Sequence, residues 1–194
     1  WTPIGNKIGV GRNNTFYGAM DFNGYEVSGI SHTGYDGQFF GFFGAFSIGW
    51  VKNPKISYGD VTVNYTGGEG SVVDNSGVTS VASFGGVAGV MIGGIIGYDD
   101  GSDLYVDVDI DGDVSFTNTV ANTRGYHGGV VGYLIGGVIG NEAEEGSTDI
   151  SVEVGENGSM NFINNTGELI YAGGLFGHGN TNGVIVGNNN EVGN

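Results

Sequence analysis

Cysteine is absent from the 194 residues, so no disulfide can staple the fold and no thiolate can hold a metal. Proline occurs only at positions 3 and 54, and the 42 glycines follow no three-residue period, which excludes a collagen-like or polyproline structure. Lysine and arginine are scarce, five against 21 Asp and Glu, giving a formal net charge of −16. Such a chain repels phosphate backbones and anionic membrane surfaces, so nucleic-acid binding is not expected. No uninterrupted apolar run reaches the roughly 18 to 20 residues of a membrane-spanning helix. The longest candidate, Phe84 to Tyr98, is shorter and studded with glycine, and no membrane insertion is expected. The chain opens on Trp1, which reads as processed or cut from something longer.

What is abundant is glycine in a repeated setting. Gly128-Gly129-Val130-Val131-Gly132 is echoed by Gly85-Gly86-Val87-Ala88-Gly89 and Gly173-Gly174-Leu175-Phe176-Gly177, with Phe40-Gly41-Phe42-Phe43-Gly44 as a looser first copy. The closing glycines fall at 44, 89, 132 and 177, an internal repeat of 43 to 45 residues. After the second and third copies comes a period-two stretch: Leu104, Val106, Val108 and Ile110 interleave with Tyr105, Asp107 and Asp109, and Ile150, Val152 and Val154 with Ser151 and Glu153. Such alternation marks strands with one buried face. Aligning Asp103-Leu104 with Asp149-Ile150 brings Gly112 onto Gly158, Phe116 onto Phe162 and Asn118 onto Asn164 without a gap. Equivalent side chains are therefore expected to stack, with Val106, Val108, Val130, Val138 and Val152 pointing inward.

A helical repeat is excluded because each interior glycine would cost roughly 1 kcal/mol in a helix. A propeller normally needs at least four blades, against about three full repeats here. The reading is an all-β, right-handed parallel β-helix (β-solenoid) with two coils of about 22 residues in each 43 to 45 residue repeat. Nine such coils at about 4.8 Å each would make a rod near 40 Å long. Residues 1–36 read as an N-terminal capping segment, strand, Asn23-Gly24 turn, strand, and residues 37–194 as the Gly-rich repeats of the same single domain.

The opening Trp1, Pro3 to Gly5, then Phe16, Gly18, Asn23, Gly24, Ser28 and Gly29, followed by the Gly-rich copies of which Gly174-Leu175-Phe176-Gly177 is the nearest match, resemble the GLUG-motif bacterial surface proteins. The resemblance covers most of the chain. It implies a parallel β-helix exported to the cell surface, often within a larger adhesin, and it brings no catalytic residue. Two copies depart from the family's Leu-Phe with Val-Ala and Val-Val.

Candidate chemistry is sparse. Asp107, Asp109, Asp111 and Asp113, with Gly112, match the start of a D-x-D-x-D-G calcium loop, but position twelve is Asn118 rather than a bidentate Glu. The same spacing arises on the solvated face of any acidic strand. No cofactor is expected beyond loosely held Ca²⁺, for which the turn acids Asp99, Asp100, Asp103, Glu142, Glu144 and Glu145 offer a second place. His32, His127 and His178 lack metal-ligand spacing, and no signature selects a pair of carboxylates for glycoside hydrolysis. Tyr105 on an outward face, and Tyr58, Tyr65, Tyr98 and Tyr133 near turns, could stack on sugars. Sequons at Asn13, Asn64, Asn157 and Asn164 are candidate glycosylation sites.

The functional expectation is a non-enzymatic extracellular structural or adhesive β-solenoid, a segment of a cell-surface adhesin or a fibre subunit. Its partners would be copies of itself head to tail or further repeats of a longer chain, because the last repeat stops without its alternating strand. A glycan-binding surface module is the alternative, and a polysaccharide-active enzyme comes third.

Overall fold

A computed structural model describes residues 1–5, 15–67, 80–98, 103–141, 148–179 and 184–188. These residues form eighteen strands and no helix. In chain order the strands are β1 (Phe16–Asp21), β2 (Val27–Tyr35), β3 (Phe39–Phe40), β4 (Phe43–Lys52), β5 (Lys55–Tyr65), β6 (Ser80–Gly85), β7 (Ala88–Met91), β8 (Ile95–Tyr98) and β9 (Leu104–Ile110). They continue as β10 (Asp113–Asn118), β11 (Thr123–Gly128), β12 (Val131–Leu134), β13 (Gly137–Asn141), β14 (Thr148–Val154), β15 (Ser159–Asn164), β16 (Ile170–Gly173), β17 (Phe176–Gly179) and β18 (Val184–Asn188).

Every pairing is parallel, and the strands sort into three sheets that the chain visits in a fixed cyclic order. Sheet A stacks β1, β4, β7 with β8, β12 with β13, and β17 with β18. Sheet B stacks β2, β5, β9 with β10, and β14 with β15; sheet C stacks β3, β6, β11 and β16. Each successive pass, or layer, lies beside the previous one. Phe84 pairs with His127 and His127 with Ala172, Ala88 with Val131 and Val131 with Phe176. Partners thus lie a whole repeat apart. The expected two coils per repeat, which would pair residues about 22 apart, are not found, because one repeat is spent on visiting all three sheets once. Sheet A is five strands deep, about 20 Å at the usual strand spacing, half the length that nine coils required.

The repeated glycines form the corner between sheets C and A, where successive layers touch backbone to backbone. Gly86 N–H donates to Gly129 O and Gly129 N–H to Gly174 O, each at 2.9 Å. A Cβ on Gly86 would strike Gly129 O and the Val108 methyl, and one on Gly85 would lie 2.5 Å from Gly132 N. Only hydrogen fits. The closing glycines 44, 89, 132 and 177 fall in one column of sheet A, since the residues flanking them are paired.

Inward side chains from all three sheets share one core: Phe40 and Phe84 from C, Phe43, Met91 and Ile96 from A, and Val61, Val106, Val108 and Ile110 from B. Burying each contributes about 1.5–3 kcal/mol. Phe40 and Phe84 stack nearly parallel at 6.2 Å. At the start of the chain Trp1 stacks on Phe42 at 4.9 Å and Phe16 on Phe43 at 4.5 Å, covering the first layer.

Three expectations change in detail. Val106, Val108 and Val130 are buried and Val152 packs against the core, but Val138 faces outward and Ile139 inward. The reason is the kink at Gly137, whose φ of +117° resets the alternation; Gly94 and Gly49 kink the paired strands in the same way, with φ of +91° and +133°. The gapless alignment holds for β10 on β15, where Phe116 meets Phe162, but β9 pairs with β14 two residues off it, Leu104 opposite Thr148. A two-residue shift preserves parity, so the same faces stay buried. Finally, Asn23 and Gly24 do form a tight turn of positive φ, yet β1 and β2 enter different sheets instead of pairing as a hairpin.

Gly129→Ala is expected to cost about 1–3 kcal/mol by forcing the corner apart. Urea unfolding at neutral pH measures it; a loss below that of an exposed-loop Gly→Ala control would contradict the corner packing.

Candidate functional site

The outward face of sheet B carries the only recurrent charge among the described strands. Register sets it in columns: Tyr105 beside Asp149, Lys55 beside Asp107 and then Ser151, Ser57 beside Asp109 and then Glu153. Alternation in β9 makes this inevitable, because Leu104, Val106, Val108 and Ile110 take the core side. Lys55, Tyr105, Asp107, Asp109, Asp149, Ser151 and Glu153, with Gly24 from the β1–β2 turn, line an open groove of about 680 Å³.

Its electrostatics are unbalanced. Lys55 Nζ lies 3.3 Å from Asp107 Oδ2. The Lys55 ammonium is held above its ordinary range by that hydrogen bond and by the charge of Asp107, with Glu26 and Asp109 adding to it. Asp109 has no such cation of its own. Partial burial, then the neighbouring Asp107 and Asp111, push its carboxyl above the usual carboxylate range.

The four aspartates of the calcium-loop pattern do not converge. Residues 104–110 are extended strand, in which alternate side chains stand roughly 6.6 Å apart and run parallel, whereas a calcium loop must curl round its ion. Asp107 pairs with Lys55, Asp111 accepts the Ser57 hydroxyl at 2.7 Å, and Asp113 accepts that of Ser159 at 2.6 Å. Among the described residues no three His, Cys, Asp or Glu are gathered where they could hold a metal ion. Asp99, Asp100, Glu142, Glu144 and Glu145 lie outside the described residues.

The sequons differ in setting. Asn64 and Asn157 are exposed, on β5 and on the turn after β14, and Asn13 lies outside the described residues. Asn164 instead belongs to a ladder. Its amide donates to Thr123 O at 2.9 Å and Glu168 O at 3.1 Å, and its carbonyl accepts from Asn118 and from the Thr166 hydroxyl. Its place in the sequence serves stacking, with the amide nitrogen already committed.

The histidines sit in three different sheets, in β2, β11 and β17. His127 is buried, stacks on Phe162 at 4.1 Å and accepts the Phe84 N–H at 3.2 Å. Burial lowers its pKa to about 3. His178 joins Tyr126, Tyr133 and Tyr171 in a second cluster on the other side of sheets A and C. Of the tyrosines expected near turns as sugar platforms, Tyr58, Tyr65 and Tyr133 are buried, and Tyr98 stacks on Trp50 at 5.1 Å. Tyr105 alone of that set lines the groove. Sequence reasoning had Asp107, Asp109 and Tyr105 but not Lys55, Asp149, Ser151 and Glu153 as one site. Pairing of β9 with β5 on one edge and with β14 on the other is what brings them together.

Comparison with protein-family models, curated proteins and solved structures finds no match to the chain.

Two outcomes follow from the titrations. The folded protein keeps His127 neutral, while the unfolded chain takes up a proton below about pH 6.5, so stability falls as pH drops from there toward 3. At 1.36 kcal/mol per unit the loss by pH 4.5 is about 2–3 kcal/mol, and His127→Phe should abolish that limb in urea titrations across pH. Asp109 runs the other way: its raised pKa opposes folding at neutral pH, so Asp109→Asn should stabilise by a few tenths of a kcal/mol at pH 7. That gain should vanish near pH 3, where both states are protonated; a melting temperature lowered by the substitution at pH 7 would contradict it.

Proposed function

We propose that this chain is a segment of an extracellular, non-enzymatic structural or adhesive protein, built as a right-handed parallel β-solenoid with one turn per repeat. The cyclic order of sheets and the whole-repeat register support the solenoid reading. Right-handedness follows from the rule governing parallel crossovers. The resemblance to GLUG-motif surface proteins, resting on Trp1, Phe16, Asn23, Gly24 and the Gly-rich copies, supports the location.

The observation that carries the reading is the state of the last layer. Among the described residues strands β14 to β18 end their sheets, each with a neighbour on one edge only. Val154 is 48% and Leu169 57% exposed there, whereas Ile110, the partner of Val154 in the layer before, is buried. Unpaired strand edges with apolar side chains are templates for further strands. A further layer, from another copy or from a longer chain, would pair them. Calcium enters this proposal only as loosely held counter-charge to the acidic face.

A glycan-binding module is the second reading, favoured by the groove that sets the Tyr105 ring among carboxylates. It expects Tyr105→Ala to abolish capture on a glycan array with the melting temperature unchanged. For the first reading, light scattering and electron microscopy of the 194-residue chain near pH 7 should show single-width linear assemblies. A monomer stable to high concentration would overturn the assembly.

A further inference from the structure

Resting on the reading of stacked end layers, we infer that the C-terminal layer receives the first layer of a second copy of this chain, and that Gly174 is the contact that admits it. In the inner layers the second corner glycine is spoken for: a Cβ on Gly86 would meet Gly129 O, and one on Gly129 would meet Gly174 O. Gly173 is still required by its own layer, where a Cβ would strike Phe176 O. At Gly174 a Cβ meets nothing within 4 Å, and its φ is not in the left-handed range. Among the described residues nothing demands glycine there. The corner ladder states what would: each corner N–H donates to the carbonyl of the following layer, Gly86 to Gly129 and Gly129 to Gly174, so the Gly174 N–H points to where a following layer would lie.

Two features select a second copy in head-to-tail orientation. The first layer of the chain presents Ile4 and Tyr17, both more than a third exposed, along the same sheet that β17 and β18 end. Apolar edge would meet apolar edge, with sheet A continuing on sheet A. A two-fold contact would reverse strand direction across the joint, whereas every ladder here is parallel.

The test compares the wild-type chain with Gly174→Leu by sedimentation velocity and light scattering, with circular-dichroism melts as the control for folding. The wild type should grow beyond the dimer with concentration. Gly174→Leu should melt unchanged yet associate at least about tenfold more weakly, and should shorten wild-type assemblies when added in small proportion because its first layer is intact. Equal assembly by Gly174→Leu would overturn this inference while leaving end stacking in place. Growth that stops at dimers would show a two-fold contact and overturn it too, and a wild-type monomer at every concentration would overturn both. Should Gly174→Leu melt early, Leu169→Glu on the same exposed edge decides by the same readouts.

Discussion

The corner between sheets C and A depends on the absence of a Cβ. Backbones there approach so closely that Gly85, Gly86, Gly128 and Gly129 each have a carbonyl, amide or methyl where a side chain would begin. Once like corners stack on like corners, the chain between them must complete the same circuit each time. The second and third passes therefore differ by only 43 residues at both sheet C and sheet A. Length variation is pushed elsewhere, into the two extra residues between β14 and β15 and the longer step from β5 to β9. Register, the inward columns and the outward charge columns all inherit their order from this contact.

That explains which parts were readable in advance. The repeat was visible because a glycine demanded by backbone contact tolerates no substitute, and the strand faces were visible because period-two alternation survives a two-residue slip. The Asn118 and Asn164 pairing was visible for the same reason as Phe116 and Phe162, since that half of the alignment has no insertion. The number of passes per repeat was not. Strand, turn and Gly-rich corner follow each other alike whether a circuit takes one repeat or half of one, and only the distance between hydrogen-bonded partners tells them apart. Val138 was misplaced because a positive-φ glycine within a strand resets the alternation without changing the apolar pattern. The groove was half legible: Tyr105, Asp107 and Asp109 come from one strand, while Lys55 and Glu153 join them only through pairing with distant strands.

Stacking identical positions has opposite consequences for amides and carboxylates. Asn164 takes a hydrogen bond from Asn118 and returns its own to backbone carbonyls, so an uncharged polar ladder satisfies itself layer by layer. Asp109 over Glu153 has no such exchange, and like charges directly opposite one another are destabilising. One cation, Lys55, offsets the column beside it. An acidic face retained at that cost repels a like face on any other molecule.

The two ends are not equivalent, and the asymmetry follows from the direction in which the layers are covered. In the first layers, Trp1 and Phe22 pack on Phe42 and Phe16 packs on Phe43, so aromatic rings close over that end of the core. At the other end Phe162 and Phe176 pack against the core from one side only, while Ile163, Leu169 and Ile170 face solvent. A layer flanked on both sides gains two sets of ladder bonds and two apolar contacts for the entropy of ordering its residues; a terminal layer gains one set for the same entropy. The first layers offset that deficit with aromatic packing. The last layers have aromatic contacts of their own, Phe162 on His127 and Tyr171 and His178 on Tyr126, but these rings reach back to the layer before and leave Ile163, Leu169 and Ile170 facing solvent.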